Sequence, residues 1–251
     1  MNHVYASSKE VGLASSANPP HAKISIVIDD LGDNSIIAKK ILALPGKLTA
    51  AILPRTPHAK LISKLATHYG HDIIMHLPLE AFSRPDLLGP GALMSSMDKK
   101  TFSRTFKKDL ESIPNVIGFN NHMGSLLTED PEKMGWLMDL AKSRSVFFLD
   151  SKTSESSVAE NVAIQLGVPA IGRDIFLDHK SKHNSLKLQL ERAKIIARSV
   201  GQVVLICHPY PETFEFLDSN LEQLTAEFEL VGISELLPKT MDIEVSPSMA
   251  R

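Results

Sequence analysis

The stretch Ile24-Ser25-Ile26-Val27-Ile28 runs directly into Asp29-Asp30, and this pattern of an apolar run that stops at a polar residue decides the fold. It recurs in two further runs: Asp72-Ile73-Ile74-Met75 stops at His76, and Val116-Ile117-Gly118-Phe119 stops at Asn120-Asn121-His122. Short apolar runs of this kind indicate buried strands. In α/β folds, ligands and catalytic groups gather at the rim formed by the carboxyl ends of the strands. The three runs therefore predict an α/β fold with a polar site at one rim.

Strand-like and helical patterns alternate through the rest of the chain. Strands are predicted at 24–28, 48–53, 72–75, 116–119, 146–149, 169–171, 203–207 and 229–232. Helices are predicted at 35–44, 56–70, 98–112, 130–144, 154–166, 185–200 and 212–227. Thr56-Pro57 is a typical helix start, and Gly167 and Gly201 are typical residues just beyond a helix end. The alternation predicts a distorted (β/α) barrel of about seven to eight strands.

Length and end composition predict one folded domain. The chain has 251 residues, a size at which α/β barrels are routinely single domains. Residues 23–238 are predicted to form this domain. Residues 1–22, rich in Ser, Ala, Asn and Pro, are predicted to be a flexible leader or linker, and the polar residues 239–251 a flexible tail.

Composition excludes several classes of protein. With 43% hydrophobic and 22% charged residues the chain is typical of a soluble globule, and a formal net charge of −2 gives no overall basic field for nucleic acid. No run reaches the roughly 18 apolar residues of a membrane span. Cys207 is the only cysteine, which excludes an intramolecular disulfide and a thiolate zinc cluster. A metal here must use Asp, Glu and His; the oligomeric state is undefined by sequence.

Nearly every predicted strand is followed by a polar or ionisable group. These groups are Asp29-Asp30, Arg55, His76, Asn120-Asn121-His122, Asp150-Ser151-Lys152, Arg173-Asp174, His208 and Ser234. One such residue alone is more often a helix cap or a hydrogen-bonded structural side chain. Their recurrence at the same topological place predicts a functional site, and it includes Asp150 and Arg173 among the candidate catalytic residues.

The chain resembles the polysaccharide deacetylases, and more closely their divergent bacterial branch. The resemblance rests on Asp29-Asp30, on Gly70-His71-Asp72-Ile73-Ile74-Met75-His76-Leu77-Pro78-Leu79-Glu80, and on Leu205-Ile206-Cys207-His208-Pro209, and it covers nearly the whole folded region. It implies a metal-dependent hydrolase that removes N-acyl (acetyl) groups from a carbohydrate or a peptidoglycan-like cell-envelope glycan. It also implies zinc as the most favoured metal and a periplasmic or secreted location.

The resemblance also implies roles for the residues of the first two motifs. Asp29 maps to the general base and Asp30 to a metal ligand. The second motif of the family is a His-x-x-x-His pair on the metal, which maps to His76 and to Glu80 in the second position. This departure leaves two candidates for the third ligand, Glu80 and His122.

The late motif and the arginine motif complete the implied site. The resemblance gives His208 the role of general acid. The family's arginine-containing third motif has no match in place, and Arg173 in Gly172-Arg173-Asp174 is the candidate to replace it.

Residue chemistry is compatible with these roles. A hydrolytic zinc takes three N or O ligands and keeps a position for a water whose pKa falls toward ~7. Successive side chains of a strand point to opposite faces, so Asp29 and Asp30 are not expected to face one metal together. Pro78 lies between His76 and Glu80 and lacks an amide donor for a helical turn, which favours His122 over Glu80.

The same departures support an alternative from another class. A deacetylase fold that has lost its second metal histidine and its arginine motif can persist as a protein with little or no turnover. Such a protein would bind glycan or assist assembly of the cell envelope.

Overall fold

The computed structural model describes residues 22–179 and 183–238. The strands in these residues are β1 (Lys23–Leu31), β2 (Thr49–Ile52), β3 (Asp72–Leu79), β4 (Gly118–Met123), β5 (Phe147–Asp150), β6 (Ala170–Gly172), β7 (Ile175–Phe176), β8 (Gln202–Cys207) and β9 (Glu229–Leu230). The helices are α1 (Ser35–Leu42), α2 (Ala59–Tyr69), α3 (Lys99–Ser112), α4 (Pro131–Ser143), α5 (Ala159–Gln165), α6 (His183–Val200) and α7 (Pro211–Glu227). The predicted leader, apart from Ala22, and the predicted tail lie outside the described residues.

All strand pairs are parallel, in the order β6-β5-β4-β3-β2-β1-β8-β7, with β9 added beside β1. The two ends of this order, β6 and β7, are joined by two residues only. Arg173 N–H donates to the Asp150 carbonyl on β5 at 2.9 Å, and Asp174 N–H donates to the Val204 carbonyl on β8 at 3.0 Å. Because neighbouring residues bond opposite ends of the sheet, the sheet must curl almost into a ring. The predicted distorted (β/α) barrel is confirmed.

Both faces of the strands are buried, which is why they read as continuous apolar runs in the sequence. On β1, Ile26 and Ile28 pack outward against the helices, and Val27 packs inward with Ala51 and Ile74. The inner cluster also contains three residues from the end of the described chain, Val231, Ile233 and Leu236. The core therefore closes the amino end of the barrel and leaves the carboxyl rim for polar groups.

Three strands run further than the sequence predicts. β1 includes Asp29 and Asp30, β3 continues past His76 to Leu79, and β4 continues to Met123. Parallel neighbours can pair polar residues as well as apolar ones, because ladder hydrogen bonds use the backbone alone. β7, only two residues long, is absent from the prediction because so short a run has no detectable pattern.

Two predicted helix starts are wrong. The helix expected from Thr56 begins at Ala59, because the Thr56 hydroxyl instead donates to the Leu53 carbonyl at 2.8 Å. The helix expected at 154–166 is only Ala159–Gln165. The Ser157 hydroxyl donates to the Asp150 carboxylate at 2.7 Å and holds the preceding segment as a loop.

Within the described residues, no helix combines the length and apolarity needed to cross a bilayer.

Candidate metal centre

A β-bulge at the end of β1 aims two neighbouring carboxylates at one histidine. The chain advances three residues from Ile28 to Leu31 while β2 advances two, from Ala50 to Ile52. Asp30 absorbs the extra residue with a φ of 54°. A bulge of this kind breaks the alternation of side chains. The bulge therefore lets both carboxylates reach the carboxyl rim, although neighbouring side chains of a regular strand point to opposite faces.

Both aspartates consequently approach His76, from opposite sides of its ring. Asp29 Oδ1 lies 3.6 Å from His76 Nδ1, and Asp30 Oδ1 lies 3.2 Å from His76 Nε2. His76 is 2% exposed, so water has little access to these contacts. The two carboxylates thus have separate relations to the same imidazole.

Three potential ligand atoms converge in front of Asp30. His122 Nδ1 lies 3.0 Å from Asp30 Oδ1 and 3.1 Å from His76 Nε2, which closes a nearly equilateral triangle. Ligands placed about 2.0–2.1 Å from a tetrahedral zinc ion are roughly 3.4 Å apart. The triangle therefore has about the size of one face of such a tetrahedral shell. Asp30, His76 and His122 are the group of three potential metal ligands found in the described residues.

The outer nitrogens of both histidines are held by acceptors. His76 Nδ1 lies 2.8 Å from Asn120 Oδ1, and His122 Nε2 lies 3.1 Å from the Leu87 carbonyl. A carbonyl oxygen only accepts, so each outer nitrogen carries the proton in the neutral ring. The inner nitrogens then present lone pairs toward Asp30. Three acceptor atoms facing one another require a cation or an added proton between them.

The Asp30 carboxylate has an unmet acceptor. Its Oδ1 is buried and makes no hydrogen bond within the described residues. Burial acts to raise the pKa of Asp30, but His122 and His76 outweigh it and hold the pKa well below its usual range. Burial acts to lower the pKa of His76, and Asp29 and Asp30 outweigh it and raise the pKa. Both directions describe a site that attracts positive charge.

Asn120 connects the second aspartate to this group. Its Nδ2 donates to Asp29 Oδ1 at 2.8 Å and to Ser151 Oγ at 3.1 Å. Because the amide nitrogen is used in this way, Oδ1 is left to face His76. Burial raises the pKa of Asp29, and neighbouring Asp30 adds to the rise, against the opposing effects of His76 and His208.

Glu80 lies outside the group of three. Its Oε2 accepts from the Ser95 amide at 2.6 Å, while its own amide donates to the Leu93 carbonyl at 3.0 Å. Since β3 extends to Leu79, His76 and Glu80 are not one helical turn apart. In this position the carboxylate joins the two ends of the loop that follows β3.

His208 occupies the neighbouring corner of the rim. Ile28 pairs with Cys207 in the ladder between β1 and β8, so Asp29 and His208 follow at the same level. His208 Nδ1 contacts Asp178 Oδ1 at 2.9 Å, and the His208 amide donates to Asp178 Oδ2 at 2.7 Å. Burial acts to lower the pKa of His208, but Asp178, Asp29 and Asp30 raise it to about 9. His208 is therefore protonated at neutral pH.

Arg173 and Asp150 both shape the loop after β5. Arg173 Nε donates to the Ser151 carbonyl at 2.7 Å, and Nη2 donates to the Lys152 carbonyl at 3.0 Å. The Asp150 carboxylate accepts from the Lys152 amide at 2.8 Å and from a serine hydroxyl. Arg173 is therefore held near the rim by the backbone carbonyls of this loop. The Asp150 carboxylate is occupied by hydrogen bonds within the same loop.

A cavity of about 420 Å³ lies beside these two residues. Lys152, Asn161 and Glu160 also line it, together with serine hydroxyls. The volume is within the roughly 300–1,000 Å³ of small-molecule sites. Both donors (Lys152, Arg173) and acceptors (Asp150, Glu160) line it, which suits hydroxyl groups that both donate and accept.

Three contributors escape prediction from sequence. Asn120 stands among the polar residues at the strand ends but gives no sign that it links a base to a ligand. Asp178 follows the very short β7, which hides its place at the rim. The Leu87 carbonyl that fixes His122 belongs to backbone and has no residue signature.

Comparison with known proteins gives matches over most of the chain. The family profile described as Divergent polysaccharide deacetylase matches residues 26–237. An uncharacterized protein of Haemophilus influenzae is 34% identical over 215 residues, which are 86% of this chain and 76% of that relative. The crystal structure of an uncharacterized protein from Agrobacterium tumefaciens has a TM-score of 0.82 at 23% identity, covering 88% of this chain and 91% of that chain. The structure of a CE4 family pseudoenzyme from Bacillus anthracis has a TM-score of 0.52 at 14% identity, covering 87% and 66%.

Proposed function

Because the chain belongs to the divergent polysaccharide deacetylases, we propose that it is a metal-dependent hydrolase that removes N-acetyl groups from a cell-envelope glycan. The family acts on carbohydrates and is generally metal-dependent. The observation that carries the proposal is the triangle of Asp30 Oδ1, His76 Nε2 and His122 Nδ1, with sides of 3.0 to 3.2 Å.

The residues fit a divalent metal, with zinc as the proposed ion. Two imidazole nitrogens and one carboxylate oxygen are the ligand types of hydrolytic zinc sites, and the buried Asp30 Oδ1 has no hydrogen-bond partner among residues 22–179 and 183–238. When bound, the metal supplies a Lewis acid that polarises a carbonyl and lowers the pKa of water toward ~7. Asp30, His76 and His122 would hold it, and Glu80 would not.

Asp29 is the proposed general base. Its Oδ1 accepts from Asn120 at 2.8 Å, while Oδ2 makes no hydrogen bond within the described residues and is free to take a proton from the attacking water. Burial raises the pKa of Asp29 toward the operating range, which makes the carboxylate a better base than an exposed aspartate.

His208 is the proposed general acid. Asp178 holds its Nδ1 at 2.9 Å, so the proton on Nε2 is the one available for the departing amine. A pKa raised to about 9 keeps the imidazole charged at neutral pH, which is the state that an acid needs. Amide hydrolysis depends on this proton because an amine anion is a poor leaving group.

A glycan is the substrate class that the rim suits best. Ser151 lies in the chain between Asp150 and Lys152, which line the polar cavity, and its hydroxyl accepts from Asn120, so one loop connects the cavity to the proposed base and ligand. We propose that sugar hydroxyls occupy it while the acetamide reaches the metal. A location outside the cytoplasm belongs to the same proposal, since envelope glycans are found there.

Acetate release from N-acetylated oligosaccharides tests this function. The zinc-loaded parent is expected to release acetate from a chito-oligosaccharide or a peptidoglycan fragment, and His76→Ala is expected to release none. Asn121→Ala is the matched structural control, because Asn121 bonds only the loop around Ser151 and Met123.

The competing function is a glycan-binding or envelope-assembly protein without turnover. The observation in its favour is Glu80, which occupies the position of the family's second metal histidine and is engaged with Ser95. Zinc binding and glycan binding without acetate release on any N-acetylated glycan would support this alternative over the hydrolase.

A further inference from the structure

Charge is segregated on the outside of the barrel, although the formal net charge is only −2. Helix α2 contains no acidic residue. The two acids within α3 are neutralised by neighbours, since Asp109 pairs with Arg55 and Glu111 pairs with Arg144. Helix α7 is the reverse, with five acids and neither Lys nor Arg. The small net charge therefore conceals a strongly cationic side.

Six exposed cations form what we call the α2–α3 basic face: Lys60, Lys64, Lys100, Arg104, Lys107 and Lys108. None of them makes a salt bridge within the described residues. Lys100, Arg104 and Lys108 follow one another at i, i+4 spacing, so they form one row along α3. Like charges at this spacing repel one another and destabilise a helix slightly, and an anionic partner would relieve that repulsion.

The cationic flank of α2 faces α3. Lys60 and Lys64 share a flank with Thr67, whose hydroxyl accepts from Asn115 Nδ2 at 3.1 Å just after α3. Ahead of α2, the Arg55 amide donates to Ser112 Oγ at 3.3 Å. These contacts tie the two ends of α2 to the carboxyl end of α3. The four cations of α3, three of them in one row, are therefore the main part of the basic face.

One acid moderates this surface. Asp98, the N-cap of α3, lies close enough to Arg104 for the cation to lower its pKa, although the largest cause of that lowering is its hydrogen bond from the Thr101 amide. Glu111, on the same helix, pairs with Arg144, so the six cations still outnumber the unpaired carboxylates of the face in the described residues.

We propose that the α2–α3 basic face binds the surface of an anionic lipid bilayer. The face is an exposed helical flank, and none of its six cations lines the cavities found beside Arg173, Phe147 and Phe216 in the described residues. The aromatic residues of α3, Phe102 and Phe106, are buried, so the row lacks the stacking side chains that single-stranded nucleic acid uses. Clusters of four to eight Lys and Arg residues are typical of surfaces that contact anionic lipid.

Binding through this face orients the barrel axis parallel to the bilayer surface. Helices α2 and α3 lie on the wall of the barrel, and the metal centre lies at its rim, so the mouth opens along the bilayer surface. Acidic α7 is separated from the basic face by α1 and is turned away from the anionic surface. The inference is independent of the proposed hydrolysis.

Vesicle sedimentation tests the inference. The parent is expected to bind vesicles of equal phosphatidylglycerol and phosphatidylcholine at low salt, to be released at high salt, and to ignore pure phosphatidylcholine. The Lys100→Glu, Arg104→Glu, Lys108→Glu variant is expected to lose at least about tenfold in affinity, because each cation near the surface contributes independently. The matched control is Lys39→Glu, Lys187→Glu, Arg192→Glu, which changes net charge equally on other faces and is expected to stay within about twofold of the parent.

Circular dichroism and thermal melting establish that both variants remain folded. Absence of parental binding to the anionic vesicles would overturn the inference, as would equal loss in the two variants. Binding to a soluble polyanion but not to vesicles would also overturn it. A further contradicting result is self-association of the parent that rises with concentration in the absence of vesicles and is abolished in the α3 variant. The partner of the basic face would then be acidic α7 of a second copy.

Discussion

Two histidines, His71 just before β3 and His76 within it, make opposite kinds of contact. His71, just before the strand, accepts from the Leu48 amide through Nδ1 at 3.1 Å and contacts the Leu42 carbonyl through Nε2 at 2.9 Å. His76, near the other end, bonds Asn120 through one nitrogen and directs the other toward Asp30 and His122. Backbone saturates both nitrogens of His71. A ligand histidine must instead keep one lone pair free.

The neighbouring carboxylates repeat this difference. Asp72 accepts from the Ser234 amide at 2.9 Å and faces Lys47 Nζ at 3.4 Å. Asp30 Oδ1 has no hydrogen bond among the described residues. The two ends of the barrel have similar residue types, and only the bonding of each polar atom distinguishes a structural pair from a candidate metal site.

Separate alanine substitutions of His76 and His71 are expected to give the largest difference in zinc binding. His76→Ala is expected to abolish stoichiometric zinc binding, because the remaining Asp30 and His122 leave a two-ligand site. His71→Ala is expected to retain zinc binding while lowering the free energy of unfolding by about 1–3 kcal/mol, because two buried backbone groups lose their partner. Isothermal titration with zinc and urea denaturation measure the two quantities. Equal zinc affinity in His76→Ala and the parent would remove the site.

Asp29→Asn separates turnover from metal binding. The amide keeps the size of the carboxylate but cannot accept a proton, so the rate of acetate release is expected to fall by about 10²–10⁴ while the zinc content stays unchanged. Steady-state kinetics on metal-analysed protein provides the measurement. A variant as fast as the parent would eliminate Asp29 as the base.

Two adjacent asparagines sharpen the comparison between positioning and structural roles. Asn120→Ala is expected to weaken zinc binding about 10–100-fold, because His76 loses the acceptor that fixes its tautomer. Asn121→Ala removes hydrogen bonds with Met123, Thr153 and the Ser151 amide and is expected to change zinc affinity by no more than about twofold. Competition with a zinc chelator measures both; matching losses would contradict the role of Asn120.

Asp178→Asn is expected to move the pH dependence of turnover. Burial acts to lower the pKa of His208, but the hydrogen bond that His208 donates to Asp178 helps to raise it to about 9. Without the carboxylate charge, His208 loses its proton at lower pH, so the alkaline limb of the rate profile shifts to lower pH. Rates measured across that limb at saturating zinc check the direction. An unmoved limb would assign it to another group.

Glu80→Gln is the smallest expected effect. The amide can still accept from Ser95 through its oxygen, and the residue lies outside the group of three. Zinc affinity is expected to stay within about twofold of the parent, as for a side chain beyond the ligands and their hydrogen-bond partners. Loss of zinc from this variant would make Glu80 a ligand after all.

Much of the fold could be predicted because each buried parallel strand is an apolar run and each long helix has its own periodicity. The run Ile24 to Ile28 and the stop at Gly70 are local signals, and both elements are present in the structure. β7 could not be predicted, because two residues carry no period. The start of α2 was predicted too early, since the Thr56 hydroxyl bonds backward to Leu53.

The site was accessible from the sequence only as a set of residue types. Alternation along β1 gives neighbouring residues opposite faces, and the bulge that lets Asp29 and Asp30 both reach His76 depends on pairing with β2, a distant segment. The contacts of Glu80 and His122 likewise depend on which distant strands pair and in which register. The register of β3 against β4 sets His76 beside Asn120, and no local pattern encodes that register.

Anomalous diffraction at the zinc edge, from crystals of the zinc-loaded protein, tests the metal centre most directly. The expected result is one strong peak bonded to Asp30 Oδ1, His76 Nε2 and His122 Nδ1, with Glu80 still on the Ser95 amide. A protein that remains free of zinc at this position, or a peak that lies on other side chains, would contradict the assignment of these three residues as the metal ligands.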